Sequence, residues 1–133
     1  MTENTQLLGM DLPPVEVEAS GNSLAAGIEA ADLSARFFRV LGDPTRIRLL
    51  HLLLNAPGGE CSVGELVVAL SVPQSRVSTH LGCLRWCGLV QTRREGKQVF
   101  YRVADPRVRE LLALGSAILH DHAAGVASCG MIR

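Results

Sequence analysis

Cys83 and Cys87 lie four positions apart in the run Thr79-His80-Leu81-Gly82-Cys83-Leu84-Arg85-Trp86-Cys87-Gly88. On a helix, residues so spaced share one face with Cβ atoms about 5–6 Å apart, close enough for one soft cation to bridge two sulfurs. Stepping about 100° per residue puts Arg76, His80, Cys83 and Cys87 on one stripe and Val77, Leu81 and Leu84 on the next, so the thiols border the core without entering it. Gly82 and Gly88 flank the pair and leave room for another segment to approach. Two thiolates under-coordinate a large soft ion. Cys129, in a Gly- and Ala-containing tail, is the candidate third ligand. Thiolate ligation favours soft cations over calcium or magnesium, but it does not choose among cadmium, lead, mercury, arsenite and zinc. The competing reading of the pair is packing, because a buried free Cys is a common small hydrophobe.

The other candidate ligands read as structural. Cys61 precedes a helix N-terminus, which would lower its pKa, but it has no thiol near it in sequence. His120 and His122 are two apart on a helix and point away from each other, as at a solvated helix end. His51 and His80 read as packing or hydrogen-bonding residues.

These thiols need a helix to hold them, and the chain punctuates clearly around it. Residues 1–22 carry Pro13-Pro14 and scattered acids with little clustered apolar surface, and are expected to form a flexible acidic arm. Helical periodicity begins at Ser23 and stops at Gly42. Asp43-Pro44 then starts a helix through Asn55 with Ile47, Leu50 and Leu54 on one side, and Ala56-Pro57-Gly58-Gly59 breaks it. Ser62 with Glu65 forms a capping-box pattern ahead of Val63, Leu66, Val67 and Leu70. A turn at Ser71-Val72-Pro73-Gln74 leads to a helix from about Gln74 to Cys87, ended by Gly88. Helix, short turn, helix is the helix-turn-helix arrangement. Gln91 to Val103 alternates on both sides of Glu95-Gly96, which predicts a β-hairpin, the wing. Asp105-Pro106 caps a last helix through Leu119. The expected fold is mainly α with a small β-hairpin, a winged helix-turn-helix. It divides into the arm 1–22, a DNA-binding and dimerisation domain 23–122, and a tail 123–133 carrying the third candidate ligand.

In such folds the first residues of the second helix meet base edges in the major groove. Here these are Gln74, Ser75, Arg76, Ser78 and Thr79. Gln pairs two-pronged with adenine and Arg with guanine, while Ser and Thr serve bases or phosphates. Arg93, Arg94 and Lys97 at the hairpin tip suit phosphate or minor-groove contact. The charge distribution agrees. The 133 residues are formally neutral, yet residues 1–32 hold six acids and no Lys or Arg, while 74–102 holds six basic residues against one acid. A local basic surface on a neutral protein suits specific docking on double-stranded DNA rather than indiscriminate coating.

With 47 % hydrophobic and 4 % aromatic residues, the composition is that of one small helical domain with an aliphatic core. The longest apolar run, around Leu49 to Leu54, is interrupted by His51 and falls far short of the roughly 18 residues that span a bilayer. No basic-then-apolar leader opens the chain, so a cytoplasmic location is expected, where four cysteines are better read as reduced thiols than as a disulfide framework.

Leu41-Gly42-Asp43-Pro44-Thr45-Arg46-Ile47-Arg48-Leu49-Leu50, Val77-Ser78-Thr79-His80-Leu81, Leu84, Gly88-Leu89-Val90, Glu95-Gly96-Lys97 and Tyr101 together resemble the ArsR/SmtB family of metal-sensing repressors over about residues 33–120. Within it the cysteine pattern is most similar to the CmtR branch, which senses cadmium and lead, and the positions matching that branch's ligands are Cys83, Cys87 and Cys129. The resemblance implies a homodimer built from the first and last helices, binding a two-fold-related operator and leaving it when metal binds. Cadmium or lead is then the expected inducer, with mercury or zinc as further soft ions of the same chemistry. Two departures stand out. The family's last-helix zinc site begins Asp-x-His, whereas Arg107 follows Asp105 here, and the Cys-x-Cys of the arsenic and cadmium branches is reduced to Cys61 alone.

Other readings keep part of this picture. The thiols could form a redox switch on the same repressor, or the chain could be an arsenite- or zinc-responsive member of the family, or an interaction module with zinc as a staple. A thiol enzyme is disfavoured: His80 lies three residues from Cys83, but nothing supplies an oxyanion hole or substrate cleft.

Overall fold

The computed structural model describes residues 23–132, with side chains from residue 29 onward; the expected acidic arm, 1–22, lies outside the described residues. They group into two compact units that part at Asp105–Pro106. The first holds α1 (Ser23–Leu41), α2 (Pro44–Asn55), a 3-10 turn (Pro57–Gly59), β1 (Glu60–Ser62), α3 (Val63–Leu70), α4 (Gln74–Trp86), β2 (Val90–Glu95) and β3 (Gln98–Val103). The second is α5 (Arg107–Ser128) and the residues that follow it.

Each helix of the first unit stops and starts for a local reason. The Asp43 carboxylate accepts from the amides of Thr45 (2.8 Å) and Arg46 (3.2 Å), and Pro44 fills the first turn, where its missing N–H costs nothing. The capping box at α3 is reciprocal: Glu65 N–H donates to Ser62 Oγ (3.2 Å) and Ser62 N–H to Glu65 Oε1 (3.0 Å). Ser71 takes a left-handed conformation (φ 54°) to end α3, and Val72-Pro73 complete the turn into α4. At the far end of α4, Gly88 sits at φ 79° while its N–H reaches the Arg85 carbonyl and Leu89 N–H reaches that of Leu84. That is a Schellman motif, with buried Leu89 and Leu84 as its apolar pair.

The core is aliphatic. Leu49, Leu50 and Leu53 of α2, Leu66 of α3, and Val77, Leu81 and Leu84 of α4 are all fully buried. On α2 the buried face therefore runs through Leu49, Leu50 and Leu53 rather than Ile47 and Leu54, which are half-exposed.

The sheet has three antiparallel strands in the order β1-β3-β2, one more than the expected hairpin. Glu60, Cys61 and Ser62 pair with Arg102, Tyr101 and Phe100. Three residues are too few to show an alternating pattern, and their partner strand lies some forty residues on, so nothing local marks β1. The wing turns at Gly96-Lys97 with positive φ at Gly96 (60°) alone, as a type II′ turn requires.

α1 leaves Leu33 (69 %), Phe38 (57 %) and Phe37 (38 %) exposed, the two rings edge-to-face at 5.3 Å between centroids. α5 likewise exposes Ile118, Leu119 and Val126. Pro106, not Asp105, stands at its cap position, without a side-chain cap hydrogen bond. The helix breaks its regular geometry at His122 (φ −126°, ψ 15°) and continues to Ser128, so much of the expected tail is helical.

Burial works against the Asp43 carboxylate, but the amides it accepts from and the attraction of neighbouring His80 and Arg46 outweigh it and hold its pKa below the ordinary carboxylate value. Asp43→Ala is expected to cost about 1 kcal/mol in urea or thermal melts near neutral pH. Because the folded pKa is depressed, the cap's contribution is full above about pH 4 and is lost as pH falls through the folded value. The gap between the two proteins should therefore hold steady near neutrality and close in acid.

Candidate functional site

Cys83 occupies the last turn of α4 and Cys87 its C-cap. Val77, Leu81 and Leu84 turn inward from the same helix, which leaves Cys83 half-exposed and Cys87 exposed on the neighbouring stripe. The two thiols, one helical turn apart, line the same hollow. They open onto a hollow of about 770 Å³ whose far wall is α1, through Leu33, Arg36, Phe37 and Val40, and whose floor includes Arg46 of α2. Trp86 stands at its rim, 93 % exposed. A Cβ built at Gly82 or Gly88 would meet no atom within 4 Å, so the space beside the thiols is open.

Burial raises the Cys87 pKa, and the neighbouring Cys83 raises it further, by charge and by hydrogen bond; the Arg46 charge opposes both. Metal binding at this pair would have to expel thiol protons, which makes affinity rise with pH.

The remaining cysteines are free and stand apart from the pair in type or place. Cys61 is buried in β1, and burial together with Glu65 and Glu60 pushes its pKa up. That corrects the expectation of a lowered value: the residue faces inward from a strand, so desolvation of the thiolate outweighs the adjacent helix N-terminus. Cys129 is the C-cap of α5, exposed, and lines a separate hollow of about 490 Å³ with Asp121 and His122 within the C-terminal unit. Among the described residues no group of three or more His, Cys, Asp or Glu converges as a metal site. Cys83 and Cys87 line one hollow of the first unit, and Cys129 belongs to the other unit.

Gln74, Ser75, Arg76, Ser78 and Thr79 all lie exposed on the N-terminal half of α4, the Thr79 hydroxyl donating to the Ser75 carbonyl (2.9 Å). Arg94 and Lys97 are exposed at the wing. Arg93 is engaged elsewhere. Its guanidinium lies over the Phe100 ring (4.8 Å), pairs with Glu60 across the sheet and with Glu95 (2.8 Å), and its pKa rises accordingly, while that of Glu60 falls. It staples β1 to β2, a role that depends on a strand not legible in the sequence.

Sequence reasoning also missed Arg46, whose run reads only as a helix start. Its guanidinium donates to the carbonyls of Val40 and Arg39 at the end of α1 and, at 3.1 Å, to Nδ1 of His80 on α4. His80 accordingly makes the hydrogen bonds expected of it, and its Nε2 lies 3.9 Å from Asp43.

Alkylation should rank the thiols by this geometry. In the folded protein Cys61 is expected to resist iodoacetamide, while Cys87 labels at a rate that keeps climbing above the ordinary thiol pKa. Peptide mass spectrometry across a pH series reads both.

Comparison with known proteins places the chain. The model for the arsR family of bacterial regulatory proteins matches residues 43–92, spanning α2 to the start of the wing. A protein of Streptomyces lividans described as a probable mercury resistance operon repressor is 46 % identical over 101 residues, covering 76 % of this chain and 78 % of the relative. The regulator CmtR of Mycobacterium tuberculosis H37Rv is 47 % identical over 78 residues, 59 % of this chain and 64 % of the relative. Among solved structures, Rv0081 of M. tuberculosis superposes with a TM-score of 0.66 at 36 % identity, covering 74 % of this chain and 97 % of that one. The solution structure of Mb0332 from Mycobacterium bovis, described as a homodimeric winged helix-turn-helix DNA-binding domain, gives 0.63 at 29 % identity, covering 80 % and 93 %. With the helix-turn-helix, the wing and the basic reading face already in view, the chain is a transcriptional repressor of the ArsR family.

Proposed function

We propose that the protein is a metal-responsive repressor. It binds operator DNA as a homodimer and is released when a soft heavy-metal ion, cadmium or lead in the first place and mercury as a further inducer, is held by the thiolates of Cys83, Cys87 and Cys129. The observation that carries the reading is that Cys83 and Cys87, one helical turn apart, line one open hollow at the accessible end of the recognition helix. Buried cysteines serving as packing would be enclosed and would have no hollow in front of them. Two soft donors side by side fit a thiophilic cation and leave its coordination incomplete, which an exposed Cys129 at a helix cap can complete.

A second copy of the chain would cover the exposed apolar side chains of α1 and those of α5. The relatives described as a mercury resistance repressor and as CmtR support a metal signal. Gln74, Ser75, Arg76, Ser78 and Thr79 then read the major groove, with Arg94 and Lys97 on phosphates. Arg93 supports the wing that presents them. No helix among the described residues is long and apolar enough to cross a membrane.

Ultraviolet thiolate-to-cadmium absorption and release from a duplex selected from a randomised pool test the reading together. Both are expected in the unmutated protein and both lost in Cys83→Ser and Cys87→Ser, with metal-free DNA binding retained. Operator affinity unchanged at saturating metal would overturn it.

Salt dependence separates the wing residues. Each phosphate contact removed flattens the slope of log K against log salt by about 0.9. Arg94→Ala and Lys97→Ala should each do so, whereas Arg93→Ala should chiefly lower the melting temperature by freeing β1.

A further inference from the structure

We propose that the hollow in front of Cys83 and Cys87 is an anion-receiving site, and that the soft metal enters it as an anionic complex of a small carboxylate-bearing thiol, not as a bare cation. The inference rests on the sensor reading above and names the form in which that site takes its inducer. Arg36 and Arg39 of α1 and Arg46 of α2 line the hollow, and among the described residues no carboxylate does. Arg36 and Arg39 are exposed, and their side chains make no hydrogen bond or ion pair among the described residues. Arg46 gives its N–H groups to the Val40 and Arg39 carbonyls and to His80 Nδ1, none of which is a carboxylate. Asp43, whose carboxyl feels the Arg46 charge, caps α2 and does not line the hollow. The rest of the wall is apolar, through Leu33, Phe37, Val40 and Trp86. Charges of one sign set among low-dielectric walls focus the field into a cleft and concentrate counter-ions there. The volume of about 770 Å³ falls within the range of small-molecule sites.

Two demands meet in this one place. The sulfurs suit a soft cation, while the three guanidinium charges repel a bare one. A complex satisfies both. A divalent soft ion held by two mercaptocarboxylates, each bringing a thiolate and a carboxylate, has a net charge of about −2. Its carboxylates match the forked donors of Arg36 and Arg39, which are uncommitted, and its metal is carried to the thiols of the same hollow. The exchange that follows balances. Both bonds from the metal to the carrier sulfurs break, bonds to Cys83 Sγ and Cys87 Sγ form, and the cysteine protons pass to the departing carrier thiolates. No electron is transferred.

The test follows cadmium transfer to the full-length protein by stopped-flow absorbance, from complexes with mercaptoacetate, mercaptoethanol and cysteamine. These carriers share a thiolate donor and give anionic, neutral and cationic complexes. They also differ in intrinsic lability, so each rate is compared between the unmutated chain and Arg36→Gln together with Arg39→Gln. Neither side chain has a bond to lose among the described residues, and the melting temperature should hold. At low salt the substitutions should slow transfer from the mercaptoacetate complex at least about 10-fold, leave the mercaptoethanol complex within about 2-fold, and quicken transfer from the cysteamine complex. The differences should vanish at about 1 M salt, where charges are screened within about 3 Å. A metal-free measurement reads the same field. Iodoacetate carries a negative charge and iodoacetamide none, so their rate ratio at Cys83 and Cys87 should fall in the variant, while that at Cys129, which lines the other hollow, should not move. A mercaptoacetate rate unchanged by the substitutions, or slowed no more than the mercaptoethanol rate, overturns the anion site and leaves the sensor standing. Failure of every carrier to load the unmutated protein overturns the sensor reading, and entry of metal by this route with it.

Discussion

One stripe of α4 is buried, and everything the protein presents follows from what that stripe leaves outside. Val77, Leu81 and Leu84 enter a core shared with Leu49, Leu50 and Leu53 of α2 and Leu66 of α3, with no solvent exposure left on most of them. A helix so anchored cannot rotate about its axis without withdrawing several aliphatic side chains from the core, each contributing about 1.5–3 kcal/mol by its burial. The N-terminal half of the exposed surface is thereby dedicated to Gln74, Arg76, Ser78 and Thr79, and the C-terminal end to Cys83 and Cys87. The residues proposed to read DNA and the two thiols thus sit on one helix anchored along a single buried stripe.

That rigidity also explains why the site lies at the helix end. The Schellman turn at Gly88 closes α4 with buried Leu89 against Leu84, so the chain leaves sharply toward β2 and does not cover Cys87. The wall opposite comes from α1, joined to α2 through only Gly42 and Asp43. At that short joint Asp43 caps α2, Arg46 caps the end of α1, and His80 faces both. Arg46 of this capping cluster also lines the hollow shared by Cys83 and Cys87.

The wing shows a different division of labour. Arg93, Arg94 and Lys97 look equivalent as a basic cluster in a row, but pairing with β3 turns Arg93 onto Phe100 and toward Glu60 while its neighbours stay in solvent. Local charge counts the cations of the wing; sheet register decides which of them are engaged by partners within the sheet.

Much of this was legible from residue order. Asp43-Pro44, Ser62 with Glu65, Gly88 and Gly96 are signals whose physics acts within four residues, so helix ends and the hairpin turn could be placed, and the i, i+4 spacing alone put Cys83 and Cys87 on one face. Strand β1, the inward turn of Cys61 with its raised pKa, the stapling of Arg93 and the three-way fork of Arg46 could not be. Each depends on partners thirty to forty positions away, or on an acceptor contributed by another helix, and no local pattern encodes that pairing. Periodicity determines which side of an element is available, but only packing determines what stands opposite it, because desolvation and hydrogen bonding are set by the neighbour as much as by the residue itself.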